Sequence, residues 1–114
     1  MHMSPLPPDP ARALRLIGLG ARARKVAAGV DAVRNAVVSG KAHLAIVATD
    51  ASRHGIEKVV PLVKRRGITM IETASAAALG AAVGRPATTA VAVLDDALAR
   101  GVAEAFGVRD NKVE

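Results

Sequence analysis

The 114-residue sequence has no cysteine, tryptophan or tyrosine, and Phe106 is its single phenylalanine. The absence of cysteine excludes disulfides and thiolate metal sites, and a reducing cytoplasm is the expected setting. With almost no aromatic rings, a core must be built from Ala, Val, Leu and Ile, whose small side chains suit helices laid closely on a sheet. No apolar run approaches the roughly 20 residues of a membrane span, so no membrane partner is expected. The Pro-rich start lacks the apolar stretch of a signal peptide. Acidic residues are scarce as well: 10 Asp and Glu stand against 16 Lys and Arg, a formal net charge of +6. Such an excess on a small domain points to a polyanionic partner, of which nucleic acid is the commonest. Plain solubility is the competing explanation.

What is present reads as one globular domain. Just over half of the residues, 51%, are apolar, too many for a disordered chain. Residues 1–11 read as a flexible tail, 12–106 as the folded domain and 107–114 as a polar C-terminal tail. Helical spacing begins with Ala11, Leu14, Ile17 and Gly18. A short strand is expected at Val26–Ala28, and a helix from Asp31 to Ser39 that buries Val33, Ala36 and Val37. Leu44–Ala48 is too short for a helix and continuously apolar, as in a strand covered on both faces. A helix through Ile56, Val59, Val60 and Val63 ends at Gly67, with a kink or a late start expected from Pro61. Ile68–Thr73 is a strand, Ser75 caps a short Ala-rich helix to Val83, and Thr89–Leu94 is the last strand. Asp95 and Asp96 open a final helix to about Phe106. Short buried strands alternating with amphipathic helices imply an α/β fold with an α/β/α sandwich architecture.

The sequence offers no catalytic constellation. His43 and His54 lack a carboxylate or nucleophile at a diagnostic spacing, and no phosphate-loop, zinc-helix or nucleophile-elbow motif occurs. Asp95-Asp96 at a helix start fits capping better than acid/base work. Gly18-Leu19-Gly20 has a dinucleotide-loop flavour, but that motif needs a strand before it, and here a helical pattern leads in. No catalysis, cofactor, metal or small-molecule substrate is expected.

The basic segments say more. Arg22, Arg24 and Lys25 lead towards Gly29, and the helix that follows offers free N–H groups suited to phosphate. Asp31, Arg34 and Asn35 share its polar side, where an amide and a guanidinium can read base edges. A solvated helix face is the alternative for the same residues.

The order of motifs resembles the kink-turn RNA-binding ribosomal-protein family, the large-subunit protein seven-Ae and thirty-e relatives, and within it the small bacterial YlxQ-type members. The resemblance spans about residues 12–106. It is carried by Leu16-Ile17-Gly18-Leu19, Arg24-Lys25, Val26-Ala27-Ala28-Gly29, Ala36–Ala42, Leu44–Ala48, Asp50-Ala51-Ser52, Gly67-Ile68 and Leu79-Gly80 with Ala82-Val83-Gly84. It implies a three-layer α/β/α sandwich on a mixed four-stranded sheet and non-catalytic binding of structured RNA, either ribosomal RNA or a kink-turn element, with the ribosome as a further partner. In the family motif a Gly is followed at two, three and six positions by Asn, Glu and Lys, which fall here on Asp31, Ala32 and Asn35, while Gly29 is kept. The resemblance implies an RNA surface of Arg24, Lys25, Gly29, Asp31, Arg34 and Asn35, with Thr73 and Ala74 from the loop after the third strand. Arg53 and Arg85 are peripheral cations. A translation-associated protein–protein adaptor on the same fold, using the Ala76–Ala82 face, is the alternative function.

Overall fold

The computed structural model describes residues 7–108. Residues 1–6 and 109–114, where most of the two expected tails fall, lie outside the described residues. The elements follow in the order α1 (Pro10–Arg22), β1 (Val26–Ala28), α2 (Val30–Val38), β2 (Leu44–Val47), α3 (Arg53–Arg65), β3 (Met70–Glu72), α4 (Ala76–Ala82), β4 (Ala90–Val93) and α5 (Asp96–Ala105).

The four strands form one mixed sheet in the order β1-β4-β2-β3. β4 lies antiparallel to both β1 and β2, and β2 runs parallel to β3. Side chains alternate across a strand, so the two continuous apolar strands feed two cores. Leu44, Ile46, Val91 and Val93 face Ile17, Leu79, Ala99 and Val102 of α1, α4 and α5. Ala45, Val47, Ala90 and Ala92 face Val33, Val37, Val59 and Val63 of α2 and α3. Both faces of the sheet are covered, which makes the three-layer α/β/α sandwich. Burying each of the larger side chains stabilises the fold by about 1.5–3 kcal/mol, and here the one aromatic ring, Phe106, only packs half-buried against the edge of the first core.

Three local expectations are corrected. Helix α1 starts at Pro10, inside the segment read as tail: Asp9 Oδ1 accepts the Arg12 N–H at 3.1 Å, and a Pro in the first turn gives up no needed donor. Helix α3 does not start late. It begins at Arg53, capped by Ser52, and carries Pro61 inside it on the solvent side. Strand β3 is shorter than Ile68–Thr73: only Met70–Glu72 stands in register with β2, with single backbone bonds from Thr69 and Thr73 at its two ends.

Gly18 and Gly20 sit within α1. A Cβ on Gly18 would lie 2.7 Å from the Ala82 carbonyl oxygen, and one on Gly20 would run into Leu98 and stand 2.9 Å from Val26 Cγ2. These glycines let α1 close on its neighbours. They form no loop over a phosphate, as the helical pattern leading into them implies.

Candidate nucleic-acid interface

The strand registers fix which loops meet. Ala28 pairs with Val91, Val47 with Ala90, and Glu72 with Val47. The C-terminal ends of β1, β2 and β3 and the start of β4 therefore share one end of the sheet. Helices α2, α3 and α4 each follow one of those strands, so all three begin there. A helix start carries unpaired N–H groups and a partial positive charge, and this end gathers three of them.

They are not equivalent. Ser52 Oγ accepts the Gly55 N–H at the start of α3, and Ser75 Oγ accepts the Ala78 N–H at the start of α4. Asp50 Oδ1 takes a further α4 donor, the Ala76 N–H, at 2.7 Å. Helix α2 begins at Gly29 with no side-chain cap. The Gly29 N–H donates to the Ala90 carbonyl at 2.9 Å, continuing the ladder, and the backbone then turns at φ 99°, ψ 158°. That conformation is essentially confined to glycine. It swings the chain off the sheet and leaves the first α2 amides open.

The loop after β3 is pinned at the same end of the sheet, at the opposite edge from this turn across β4 and β2. The Thr73 N–H donates to the Val47 carbonyl at 3.1 Å. The Ala74 carbonyl accepts both the N–H and the hydroxyl of Thr49, at 2.9 and 3.1 Å. Ala74 itself has φ 65°, left-handed backbone in a residue with a side chain, which costs about 1–3 kcal/mol and persists because its surroundings over-determine it. Thr73 and Ala74 are thus half-buried in a rigid loop at the same end as Gly29.

Of the residues singled out from the sequence, Gly29, Asp31, Asn35, Thr73 and Ala74 belong to elements that open at this end. Asp31 and Asn35 are exposed on α2. Arg34 is exposed too, but its guanidinium donates to the Lys58 carbonyl of α3, which turns it across the helix pair. Arg24 and Lys25 are not brought together with Gly29. They precede β1 and so stand at the other end of the sheet, Lys25 about 13 Å from Gly29 by strand rise. There Lys25 Nζ lies 3.8 Å from Asp95 Oδ1, and the Lys25 carbonyl accepts the Leu94 N–H.

Arg85, a peripheral cation by sequence, lies on the α4–β4 loop with its Nη2 3.6 Å from the point where a Cβ on Gly29 would be. No local sequence signal announces that contact; it depends on β4 lying beside β1. Arg53 pairs with Glu57 at 3.9 Å on the surface of α3. On α4, Ala77 and Ala81 are exposed while Leu79 and Gly80 are buried. Among the described residues no His, Asp and Glu cluster could hold a metal ion, and no helix is long and apolar enough to cross a membrane.

Residues 12–102 match the ribosomal protein L7Ae/L30e/S12e/Gadd45 family. The RNA-binding protein YlxQ of Bacillus subtilis (strain 168) is 34% identical over 84 residues, covering 74% of this chain and 84% of that relative. Among solved structures, a protein of unknown function from Bacillus halodurans C superposes with a TM-score of 0.78 at 30% identity, over 85% of this chain and 98% of that one. The Giardia lamblia 15.5kD RNA binding protein gives a TM-score of 0.69 at 28% identity, over 92% and 91% of the two chains. By sequence and by fold, this chain belongs to the ribosomal protein L7Ae/L30e/S12e/Gadd45 family.

Proposed function

We propose that the protein binds structured RNA without catalysis or cofactor, recognising a kinked helix–internal loop–helix element such as a kink-turn or its equivalent in ribosomal RNA. The observation that carries this reading is the convergence, at one end of the sheet, of the uncapped α2 start at Gly29 with the pinned Thr73–Ala74 loop. The relatives described as RNA-binding, from Bacillus subtilis and Giardia lamblia, support it. So does the net charge of +6.

In this reading the open amides after Gly29 receive a backbone phosphate, and Arg85 beside them supplies charge. Asp31 and Asn35 meet base or sugar edges, and Thr73 and Ala74 form a small neutral shelf for a splayed nucleotide. Arg34 lends charge from the flank, while Arg24 and Lys25, at the far end of the sheet, contribute longer-range attraction. The cytoplasm is the natural setting and the ribosome a source of such RNA.

The test is a calorimetric or gel-shift titration with a kink-turn RNA and with a plain duplex of equal length. Tighter binding to the kinked RNA, weakening steeply with salt, is expected. Equal and negligible binding to both at low salt overturns the reading.

A further inference from the structure

The basic residues of the α2–α3 layer are not accounted for by the Gly29 end. Lys58 and Arg65 lie seven residues apart, two turns on one side of α3, about 10 Å from each other along its axis. It is from this side that the Lys58 carbonyl receives the Arg34 guanidinium of α2. Just past the helix end, Arg66 Nη1 reaches back to the Val38 carbonyl at 3.3 Å. Arg34 and Arg66 thus straddle the seam between the two helices, each held by one backbone acceptor and with most of its donors free. All four cations are exposed, and among the described residues none takes part in an ion pair. The acidic residues of the layer are elsewhere: Glu57 pairs with Arg53, and Asp31 lies at the start of α2.

We infer that the α2–α3 seam, through Arg34, Lys58, Arg65 and Arg66, is a second RNA-contacting surface that takes backbone phosphates of a stem leaving the Gly29 end. The inference rests on the reading of the protein as an RNA binder. A row of unpaired cations is complementary to a phosphate backbone. It is also continuous with the Gly29 end, because α2 starts there and carries Arg34 in its second turn. Two of the four are arginines held in place by their backbone bonds, which lowers the cost of ordering them on contact. The surface carries no base-reading amide, so it adds affinity and orients the stem without reading sequence.

The test compares two RNAs, one kink-turn with long stems and the same element with its stems cut to the few pairs that hold the loop. Wild-type protein should bind the long-stem RNA more tightly. The variant Lys58→Ala/Arg65→Ala/Arg66→Ala should lose that advantage, bind the long-stem RNA about tenfold or more weakly, and show a salt dependence shallower by about 2 in log–log slope. Arg65→Lys/Arg66→Lys, which keeps the charge, should retain most of the affinity. Arg12→Ala/Arg15→Ala/Arg22→Ala removes as much charge from α1 on the other side of the sheet and should leave the long-stem advantage intact. If the α1 variant loses as much as the seam variant, overall charge is responsible and the inference falls. If wild type binds both RNAs equally and the seam variant matches it, the seam is not a contact, while the RNA-binding reading stands. If wild type binds neither RNA, both fall. Loss of the advantage with an unchanged thermal unfolding midpoint is the result that supports it.

Discussion

The guanidinium of Arg85 stands against the backbone of Gly29, its Nη2 3.6 Å from the point where a side chain on that glycine would begin. A cation from the α4–β4 loop is thereby set beside the open amides of α2. Arg85→Ala should leave the unfolding midpoint nearly unchanged, because the side chain is exposed and the backbone bond from its N–H to the Gly80 carbonyl survives. RNA affinity should fall, and the log–log salt slope should become shallower by about 1. Titrations at several salt concentrations measure both.

Gly80 holds that loop in place. A Cβ there would run into the Pro86 carbonyl and come within 2.8 Å of the Arg85 carbonyl oxygen. Backbone cannot yield as a side-chain tip can. Gly80→Ala should therefore cost about 1–3 kcal/mol of stability by overpacking. It should also weaken RNA binding more than its stability loss explains, since Arg85 moves with the loop. Chemical denaturation and RNA titration of the same variant separate the two effects.

Arg24 closes α1 in left-handed backbone, φ 62°, where glycine is the usual residue. The Lys25 N–H returns to the Gly20 carbonyl at 2.7 Å, completing the helix end. Arg24→Gly relieves the side-chain penalty and should raise stability by up to about 1 kcal/mol, read by chemical denaturation. Because Arg24 is remote from Gly29, RNA affinity should drop by much less than in Arg85→Ala.

Asp95 caps α5 and pairs with Lys25, which stands just ahead of β1, the strand beside β4. The Leu98 N–H donates to its Oδ2 at 2.9 Å, and this bond, with Lys25 and His43 nearby, holds its carboxyl below the ordinary carboxylate value against a smaller opposing effect of burial. A carboxyl more acidic in the folded state stabilises fully above its unfolded pKa, about 3.9, and that contribution is lost as pH falls through the lower folded value. Asp95→Asn keeps an acceptor for the cap and removes the titration. Melting midpoints should show wild type ahead of the variant near neutrality and the gap closing in acid. A constant gap from neutral to acid pH would contradict this.

Much of the scaffold was legible because it is written in local pattern. Leu44–Val47 and Ala90–Val93 are apolar on every residue because both faces of those strands are covered, and α2, α3, α4 and α5 each run to a glycine stop. Pro61 did not delay the start of α3 because it faces solvent, where a carbonyl that loses its donor is open to water. The start of α1 was hidden in a Pro-rich segment, although Asp9 followed by Pro10 is itself a start signal. Gly29 could be singled out from sequence, but what surrounds it could not. Arg24 and Lys25 are near Gly29 in the chain and separated from it by the length of β1, whereas Arg85 and Ala74 are distant in the chain and near its end of the sheet in space. Strand order decides both, and no local pattern encodes it.

The position of β4 carries a consequence in time. It is the last strand to be synthesised, yet it lies between β1 and β2 and supplies the carbonyl that anchors Gly29. Until Ala90–Val93 has left the ribosome, β1 has no neighbour, and neither the turn at Gly29 nor Arg85 has its setting. Such late, long-range closure is slow compared with local helix formation. A growing chain therefore acquires the Gly29 end of the sheet only after β4 has emerged, and no N-terminal fragment that stops short of β4 can have it.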